Sequence, residues 1–344
     1  MQTIPDTRAD AHSTNPSAEE GVAKTRSSRW IALGAALAAA VVALVGLALP
    51  YRPIPVPGPD VTPAPLGLPE PLSGLKLHVF NTGANRMSSL LVGPAPPWRA
   101  VPAFVVEHPT HGLIVFDLGL SHEVAEHGED ALPAPMGWLM ESRGRVGWTL
   151  EKQMAEAGLA IRAVEHVVIS HLHEDHTGVA SEFAHAAFLA GPETRSRMIE
   201  GSHSPFAPDA IPEWREIPFE NEGEPIGPFD SSIDLFGDGS IRLIAGGGHT
   251  PEGVMMLVNL ESGPVLLTGD AVVHHDWLAS DDVERIASDR LRAATLRNQV
   301  RTLQASGAAL VIPGHDLRHL GPARPELILH APERFAPTAW PIDG

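Results

Sequence analysis

The 344-residue sequence contains no cysteine, and this absence excludes disulfide bridges, thiol nucleophiles and cysteine-rich zinc sites. Any metal must therefore be held by histidine, aspartate or glutamate side chains. Tyrosine is nearly absent too, since the single one is Tyr51. Positive charge is scarce: 24 lysines and arginines stand against 42 aspartates and glutamates, for a formal net charge of −18. Because an acidic chain repels phosphate backbones, we expect no nucleic-acid partner.

A long uncharged run marks the N-terminal part of the chain. Residues 1–29 are polar with mixed charge, and we expect a disordered tail there. Residues 30–50 contain the apolar run, which as a helix rises about 28 Å and is therefore long enough to cross a bilayer core. Basic residues precede it at Lys24, Arg26 and Arg29, so the positive-inside rule places the N-terminus in the cytoplasm. A signal peptide and a buried core helix are the alternatives.

The segment after the apolar run is rich in proline, and we expect residues 51–72 to form a stiff linker. These features predict a single-pass protein of the inner (cell) membrane, whose folded domain, residues 73–344, faces the periplasm or another extracytoplasmic space. Within that domain short apolar strands alternate with helical patterns, and potential metal ligands follow several strands. The alternation predicts an α/β layered domain with its site along one edge of the sheets.

The densest group of potential metal ligands is the run His171-Leu172-His173-Glu174-Asp175-His176, which directly follows a predicted buried strand. Alternation along an extended chain places His171 and His173 on the same side. Asp175 and His176 come next, where we expect the chain to bend into a helix. Neutral imidazole and carboxylate ligands suit zinc and similar divalent ions. A solvated histidine-rich loop is the alternative, but the spacing favours a metal site.

Three later segments each end an apolar strand on a residue that can bind metal. His249 follows three glycines, Asp270 ends the strand around 264–268, and His315 ends the strand around 309–312. A single histidine or aspartate at a strand end is usually a cap or a turn residue. Three of them downstream of a ligand cluster favour a shared functional site.

With its ligands in the order His-x-His-x-Asp-His, His, Asp, His, the sequence resembles the metallo-β-lactamase superfamily over about residues 75–330. The resemblance implies a four-layer αβ/βα sandwich that holds two divalent ions, expected to be Zn2+. Carried over by position, the first-metal ligands are His171, His173 and His249, the second-metal ligands are Asp175, His176 and His315, and Asp270 bridges both. Asp117, which ends an earlier strand, is expected to orient the ligand loop from behind.

The chemistry that the resemblance implies is hydrolysis by a metal-bound hydroxide, because two divalent ions lower the pKa of a shared water. Asp175 could also pass a proton to the leaving group, so Asp175 and Asp270 are the expected catalytic residues. The favoured function is a dinuclear-metal hydrolase that opens a small-molecule lactone or ester. Organophosphate or thioester hydrolysis, a single-iron oxidoreductase and a membrane-tethered metal-binding module are the alternatives.

A finer resemblance lies in residues 101–119 and in Gly248-His249-Thr250-Pro251, which look like the N-acyl-homoserine lactonase branch. This implies N-acyl-homoserine lactones as substrates and a role in quorum quenching. Those lactonases commonly place a tyrosine three residues after the bridging aspartate, to contact the substrate carbonyl. Because this sequence has Val273 there, His274 and His275 are candidates for contacting the substrate instead.

Overall fold

Two β-sheets that pack face to face organise the computed structural model of the chain. The structure describes residues 54–58, 65–88, 98–132, 134, 136–199, 211–280, 283 and 287–335. The predicted tail at 1–29 and the predicted membrane helix at 30–50 lie outside these described residues. Among the helices that are described, none has the length and apolar character needed to cross a membrane.

The strands of the described residues are short apart from the first two. They are β1 (Lys76–Met87), β2 (Arg99–His108), β3 (Gly112–Phe116), β4 (Met140–Gly144), β5 (Val164–Val168), β6 (Ala187–Ala190), β7 (Trp214–Glu216), β8 (Glu224–Ile226), β9 (Phe229–Asp234), β10 (Ile241–Ala245), β11 (Val254–Val258), β12 (Val265–Leu267), β13 (Leu310–Ile312) and β14 (Leu327–Leu329). The α-helices there are α1 (His122–His127), α2 (Met136–Leu139), α3 (Leu150–Glu156), α4 (Glu174–Thr177), α5 (Thr194–Ile199), α6 (Phe219–Glu222), α7 (His275–Ala279) and α8 (Arg290–Ser306).

The first sheet has the strand order β14-β1-β2-β3-β5-β6-β7, and β4 also pairs with β1. Its strands β3, β5, β6 and β7 run parallel to one another, so their carboxyl ends meet at one edge. The second sheet has the order β13-β12-β11-β10-β9-β8 and is antiparallel except for the parallel pair β12 and β13. Parallel neighbours matter here because the residues that follow them are brought side by side.

Apolar side chains on both faces of each sheet explain why the sheets are layered. The largest core cluster lies between the sheets and combines residues of both, for example Val79 and Phe116 of the first with Leu243 and Met256 of the second. A second cluster packs α3 on the outer face of the first sheet. A third packs α8 on the outer face of the second sheet. The predicted layered α/β sandwich is therefore confirmed, with helix, sheet, sheet and helix in succession.

The helical pattern of the sequence predicts a helix over about 282–305, but α8 begins later, at Arg290. The side chain of Asp289 caps it by accepting hydrogen bonds from the backbone N–H groups of Leu291 and Arg292, at 3.0 and 2.9 Å. The backbone N–H of Asp289 donates instead to the carbonyl of Gly248. This part of the chain therefore ties the glycine-rich turn to α8 rather than extending the helix.

The described parts of the proline-rich segment contact the domain. Val56 is buried against Val283 and Ala293, and Leu66 packs on the cluster beneath α8. The carbonyl of Pro69 accepts a hydrogen bond from the Asn259 side chain, at 3.1 Å. Residues 53–344 accordingly form one compact unit.

Candidate metal centre

The run that begins at His171 follows β5. Asp117 directly follows β3, the parallel neighbour of β5, and so lies beside the start of this run. The backbone N–H of Asp117 donates to the carbonyl of Val168 at 3.0 Å, which fixes the two strand ends together. Asp117 has a φ of 60°, a left-handed conformation that aspartate tolerates better than most residues with a side chain. The turn aims its buried carboxylate at the next loop.

The carboxylate of Asp117 holds the ligand loop through three hydrogen bonds. It accepts from the backbone N–H of Ser170 at 2.7 Å and from the Ser170 hydroxyl at 2.7 Å. It also accepts from Nδ1 of His176 at 2.8 Å. Because Asp117 is buried and faces only donors, it fixes the orientation of the His176 ring from behind, as the sequence predicted.

One group of potential ligand atoms gathers around His173. Its Nδ1 lies 2.8 Å from Nε2 of His171 and 3.2 Å from Nε2 of His249. Oδ2 of Asp270 lies 3.5 Å from the same nitrogen of His249 and 4.0 Å from that of His171. These four side chains are the ones that the resemblance assigned to the first metal, with Asp270 as the shared ligand.

A second group gathers around the other oxygen of Asp270. Oδ1 of Asp270 lies 3.2 Å from Nε2 of His315 and 3.5 Å from Nε2 of His176. Oδ2 of Asp175 lies 3.3 Å from the same nitrogen of His315. The structure therefore brings all seven predicted ligands together, and the two oxygens of Asp270 face different groups.

The donor atoms of the second group fit a bound cation. Nδ1 of His315 lies 2.7 Å from the carbonyl oxygen of Ala100, which can only accept, so that nitrogen carries the hydrogen and Nε2 presents its lone pair. The same argument applies to His176, whose Nδ1 donates to Asp117. Nε2 of His176 and Oδ1 of Asp270 are buried without a hydrogen-bond partner in the described part of the chain. Converging lone pairs of this kind are stabilised by a bound cation, whether a metal ion or a proton.

The spacing of these atoms also suits zinc. Ligand atoms about 2.1 Å from a tetrahedral zinc lie about 3.4 Å from one another. The distances from Asp270 to His176, His249 and His315 are 3.5, 3.5 and 3.2 Å. Imidazole nitrogen with carboxylate oxygen is the ligand mixture that this ion accepts. The described residues therefore support binding of divalent metal, with zinc as the chemically favoured ion.

Burial and neighbouring charges shift the pKa values of the ligands in different directions. Burial, followed by the neighbouring His176, holds the pKa of His171 well below its ordinary value. Burial opposes charge on His176 as well, but the carboxylates of Asp117 and Asp175 raise the pKa of His176 to about 10. Burial raises the pKa of Asp270, but His315 and His176 lower it well below the usual range. The same field that favours an imidazolium favours a metal cation.

An open cleft of about 450 Å3 leads to the ligand atoms. Its walls combine ligand residues with an apolar surface and with three further polar side chains, Asn85, Arg99 and Glu174. The apolar surface consists of Met87, Met136, Met140, Val273 and Trp277. The side-chain N–H of Asn85 donates to Oδ2 of Asp175 at 2.5 Å. Such a cleft suits a small molecule with an apolar portion.

The structure does not bring His274 and His275 into the walls of this cleft, although their neighbour Val273 lines it. Nε2 of His274 lies 2.9 Å from the guanidinium of Arg318, and Nδ1 of His275 lies 3.0 Å from Oδ2 of Asp316. Both rings are therefore engaged in a network behind His315. Their role as substrate contacts stays a prediction, which this geometry does not favour.

Asn85 and Arg99 are the residues of the cleft that the sequence did not predict. They lie directly opposite each other where β1 pairs with β2, which places both side chains on one face of the sheet. Neither residue belongs to a motif of characteristic spacing. A correct pairing of β1 with β2 is the signal that could have found them.

Comparison with known proteins gives a family. The model described as metallo-beta-lactamase superfamily matches residues 96–315. The N-acyl homoserine lactonase AttM of Azorhizobium caulinodans is 30% identical over 227 residues, which cover 63% of this chain and 81% of that protein.

Two solved structures share the fold. An AiiA variant from B. thuringiensis with N-decanoyl-L-homoserine bound at its active site is 15% identical, with a TM-score of 0.59 over 70% of this chain and 93% of that one. AidC, a dizinc quorum-quenching lactonase in complex with a product, is 13% identical, with a TM-score of 0.51 over 78% of this chain and 97% of that one. At such low identity these likenesses describe the fold alone.

Proposed function

The chain belongs to the metallo-β-lactamase superfamily and is a metal-dependent hydrolase, and from this premise we propose that it opens lactones, with N-acyl homoserine lactones as the favoured class. The relative AttM supports the substrate class, because it is named for this activity and aligns over most of its length. The cleft supports it too, since a methionine-rich wall beside a metal centre suits an acyl chain next to a carbonyl.

The observation that carries the proposal is the position of Asp270 between the two ligand groups. One oxygen faces His249 and the other faces His315, which supports a bridging role and a two-metal centre. Two divalent ions held there would polarise a carbonyl oxygen and make a bound water acidic enough to react near neutral pH. A hydrolase of this kind needs no serine or cysteine nucleophile.

The chain's own residues would position the substrate and move a proton. Asp175 lies in the wall of the cleft, and the hydrogen bond from Asn85 to its Oδ2 fixes the direction of the carboxylate. We assign Asp175 the uptake of a proton from the attacking water and its transfer to the departing ring oxygen through Oδ1, since Asn85 donates to Oδ2. The apolar walls at Met140 and Val273 would exclude water from the acyl chain.

The test is an activity screen of the purified full-length chain, with its metal content measured by mass spectrometry. The substrates are N-acyl homoserine lactones, alkyl lactones, aryl esters, thioesters and phosphotriesters. We expect lactone opening to have the highest kcat/KM and about two zinc ions per chain. A preference for phosphotriesters or thioesters, or full activity with a single iron, would contradict the proposal.

Replacement of Asp270 by alanine tests the bridging role. We expect Asp270→Ala to lower lactone hydrolysis by at least about 1000-fold and to leave fewer than two metals per chain, because both ligand groups lose an oxygen. Asp230→Ala is the matched control, since that carboxylate pairs with Arg292 on the surface. Retention of activity by the Asp270 variant would remove the basis of the proposed mechanism.

We also propose that residues 30–50 anchor the chain in the inner membrane, with the domain on the periplasmic side. The uncharged run and the basic residues before it support this. The full chain is expected in the membrane fraction and to resist extraction at alkaline pH, whereas deletion of 30–50 should release the activity. Recovery of the intact chain in the soluble fraction would contradict the anchor.

A further inference from the structure

Arg99 is a buried cation that has no partner in the described part of the chain. The residue is 8% exposed, and its guanidinium forms no hydrogen bond or ion pair with a described residue. Its one described interaction is with Trp277, whose ring centroid lies 5.6 Å from Cζ. A buried guanidinium normally pairs with a carboxylate or with carbonyl oxygens, so an unpaired one calls for a ligand.

The position of Arg99 is fixed relative to the metal centre. It begins β2 directly before Ala100, whose carbonyl accepts the hydrogen bond from His315. It also lies opposite Asn85, which orients Asp175. The guanidinium therefore lines the cleft at a defined place on a strand rather than on a loop.

The carboxylates of the metal centre act on the charge of Arg99 without forming an ion pair with it. Burial lowers the pKa of Arg99, while the carboxylates of Asp270 and Asp175 raise it, so the side chain lies in their field. No ion pair within 4.0 Å joins it to either carboxylate. With Asp175 and Asp270 assigned to metal, Arg99 forms no ion pair with another carboxylate of the described residues. The guanidinium, which lines the cleft, is therefore available to a substrate group.

We propose that Arg99 is a specificity-determining residue, which binds an acceptor oxygen in the acyl part of the substrate, separate from the carbonyl that is hydrolysed. The inference rests on the proposed function. The guanidinium lies over Trp277, within the apolar wall that suits the acyl chain, and forms no ion pair within 4.0 Å with the ligand carboxylates. An amide carbonyl and a carboxylate are the two groups that offer such an oxygen.

Among the described residues of the cleft, Arg99 is the charged donor that is not itself a candidate metal ligand. One of the two side-chain N–H groups of Asn85 donates to Asp175. Val273 and the methionines offer no hydrogen. The second N–H of Asn85 and the indole N–H of Trp277 are the neutral donors of the cleft. A charge-assisted hydrogen bond to a second oxygen therefore depends on Arg99, and Arg99 does not stabilise a substrate that lacks this oxygen.

The experiment compares three γ-lactones of equal chain length: an N-acyl homoserine lactone, an analogue with a carboxylate in place of the amide, and an alkyl lactone with neither. The kcat/KM of each is measured for the zinc-loaded full chain and for Arg99→Met, Arg99→Lys and Arg86→Met. Arg86→Met is the matched control, because Arg86 is on the same strand as Asn85 and pairs with Glu141. Zinc content and product inhibition constants are measured for every variant.

We expect Arg99→Met to lower the preference for the lactone with a second acceptor over the plain alkyl lactone by about 30-fold, the scale of one charge-assisted hydrogen bond. Arg99→Lys should recover part of this preference, and product binding should weaken in parallel with it. The larger loss identifies the amide or the carboxylate as the natural acceptor. Arg86→Met should leave the preference unchanged.

Equal losses on all three lactones, a fall in zinc content, or an unchanged preference would each overturn the assignment of Arg99. If the wild-type chain opens none of the lactones, the proposed function fails and the inference fails with it. If the wild-type chain opens them and the preference is insensitive to Arg99, only the inference fails.

Discussion

Single residues behind the ligands decide whether the metal centre can form, and Asp117 is the clearest case. Its two oxygens accept from the backbone and hydroxyl of Ser170 and from His176. Each of these hydrogen bonds fixes the orientation of one group of the ligand loop. A ligand that is held in advance loses less conformational freedom when the metal binds.

Replacement of Asp117 by asparagine is expected to lower zinc affinity by about 10- to 100-fold, because an amide N–H would face the Nδ1 hydrogen of His176. Competition with a chromophoric chelator measures the change. Asp234→Asn is the control, since Asp234 accepts from Gly237 and Gly239 in a surface turn and should leave affinity unaltered. An Asp117 variant that binds zinc as tightly as the wild type would show that the ring is oriented by something else.

The residues that sequence reasoning found differ from those it missed in how they are encoded. His171, His173 and His176 lie within one short run, so spacing alone brings them together. Arg99 and Asn85 lie opposite each other only because β1 pairs with β2 in one register. Register depends on long-range packing, which no local pattern records. The site was therefore predictable where a ligand run or a strand-end motif marks it, and not where it depends on strand register alone.

At the scale of elements, the two ends of β13 offer a matched pair of glycines. A side chain on Gly314 would place its Cβ 2.5 Å from Oδ1 of Asp270, whereas Gly307 has open space around the same position. Gly307 has a φ of 69° at the end of α8 and so favours glycine for conformational reasons alone. Gly314 leaves space for the Asp270 carboxylate, whereas Gly307 ends α8.

We expect Gly314→Ala to reduce zinc content and to lower kcat/KM by at least about 10-fold, because Asp270 must move. Gly307→Ala should cost about 1 kcal/mol of unfolding free energy and leave kcat/KM unchanged. Urea unfolding and steady-state kinetics measure the two effects. Similar activities for the two variants would mean that the loop after β13 can yield without disturbing Asp270.

His330, directly after the edge strand β14, forms a contact with His78 that depends on pH. The backbone N–H of His330 donates to Val79, its ring stacks on Phe80 at 4.4 Å, and its Nε2 lies 2.9 Å from Nδ1 of His78. Burial, followed by His78, lowers the pKa of His330 to about 4. The unfolded chain therefore binds more protons than the folded chain between pH 6.5 and 4.

Stability from this histidine should be complete above pH 6.5 and should decline as the pH falls towards 4. Denaturant unfolding at several pH values measures the slope, and His330→Asn should have a smaller slope than the wild type. Glu107 and Lys76 are the charged groups beside His78, and both are retained in the variant. Identical slopes would show that His330 does not contribute.

The apolar pattern of the sequence predicts where helices and strands lie, but it predicts their ends less accurately. The strands ending before Asp270 and His315 lie as expected, but α8 begins at Arg290 and not near residue 282. The backbone of Asp289 bonds to Gly248, a residue far away in the sequence. Such a tertiary bond competes with helix formation, and helical periodicity does not report it.

At the scale of the whole molecule, the metal centre joins the two sheets. The ligands from His171 to His176 follow β5 of the first sheet, whereas His249, Asp270 and His315 follow strands of the second. The carboxylates of Asp270 and Asp175 are buried close to each other, and the two negative charges repel each other unless a cation lies between them. Bound metal should therefore stabilise the contact between sheets as well as the site.

Removal of metal by a chelator is expected to lower Tm by about 5 °C or more, since a ligand at 100 times its Kd stabilises a folded protein by about 2.7 kcal/mol. Thermal unfolding followed by circular dichroism, with zinc restored in a parallel sample, measures this. Asp270→Ala should have a lower Tm that the chelator changes by less than it changes the wild-type Tm, because the shared ligand is lost. A wild-type Tm that is equal with and without chelator would mean that the sheets hold the seven ligands together unaided, and metal would then contribute to chemistry alone.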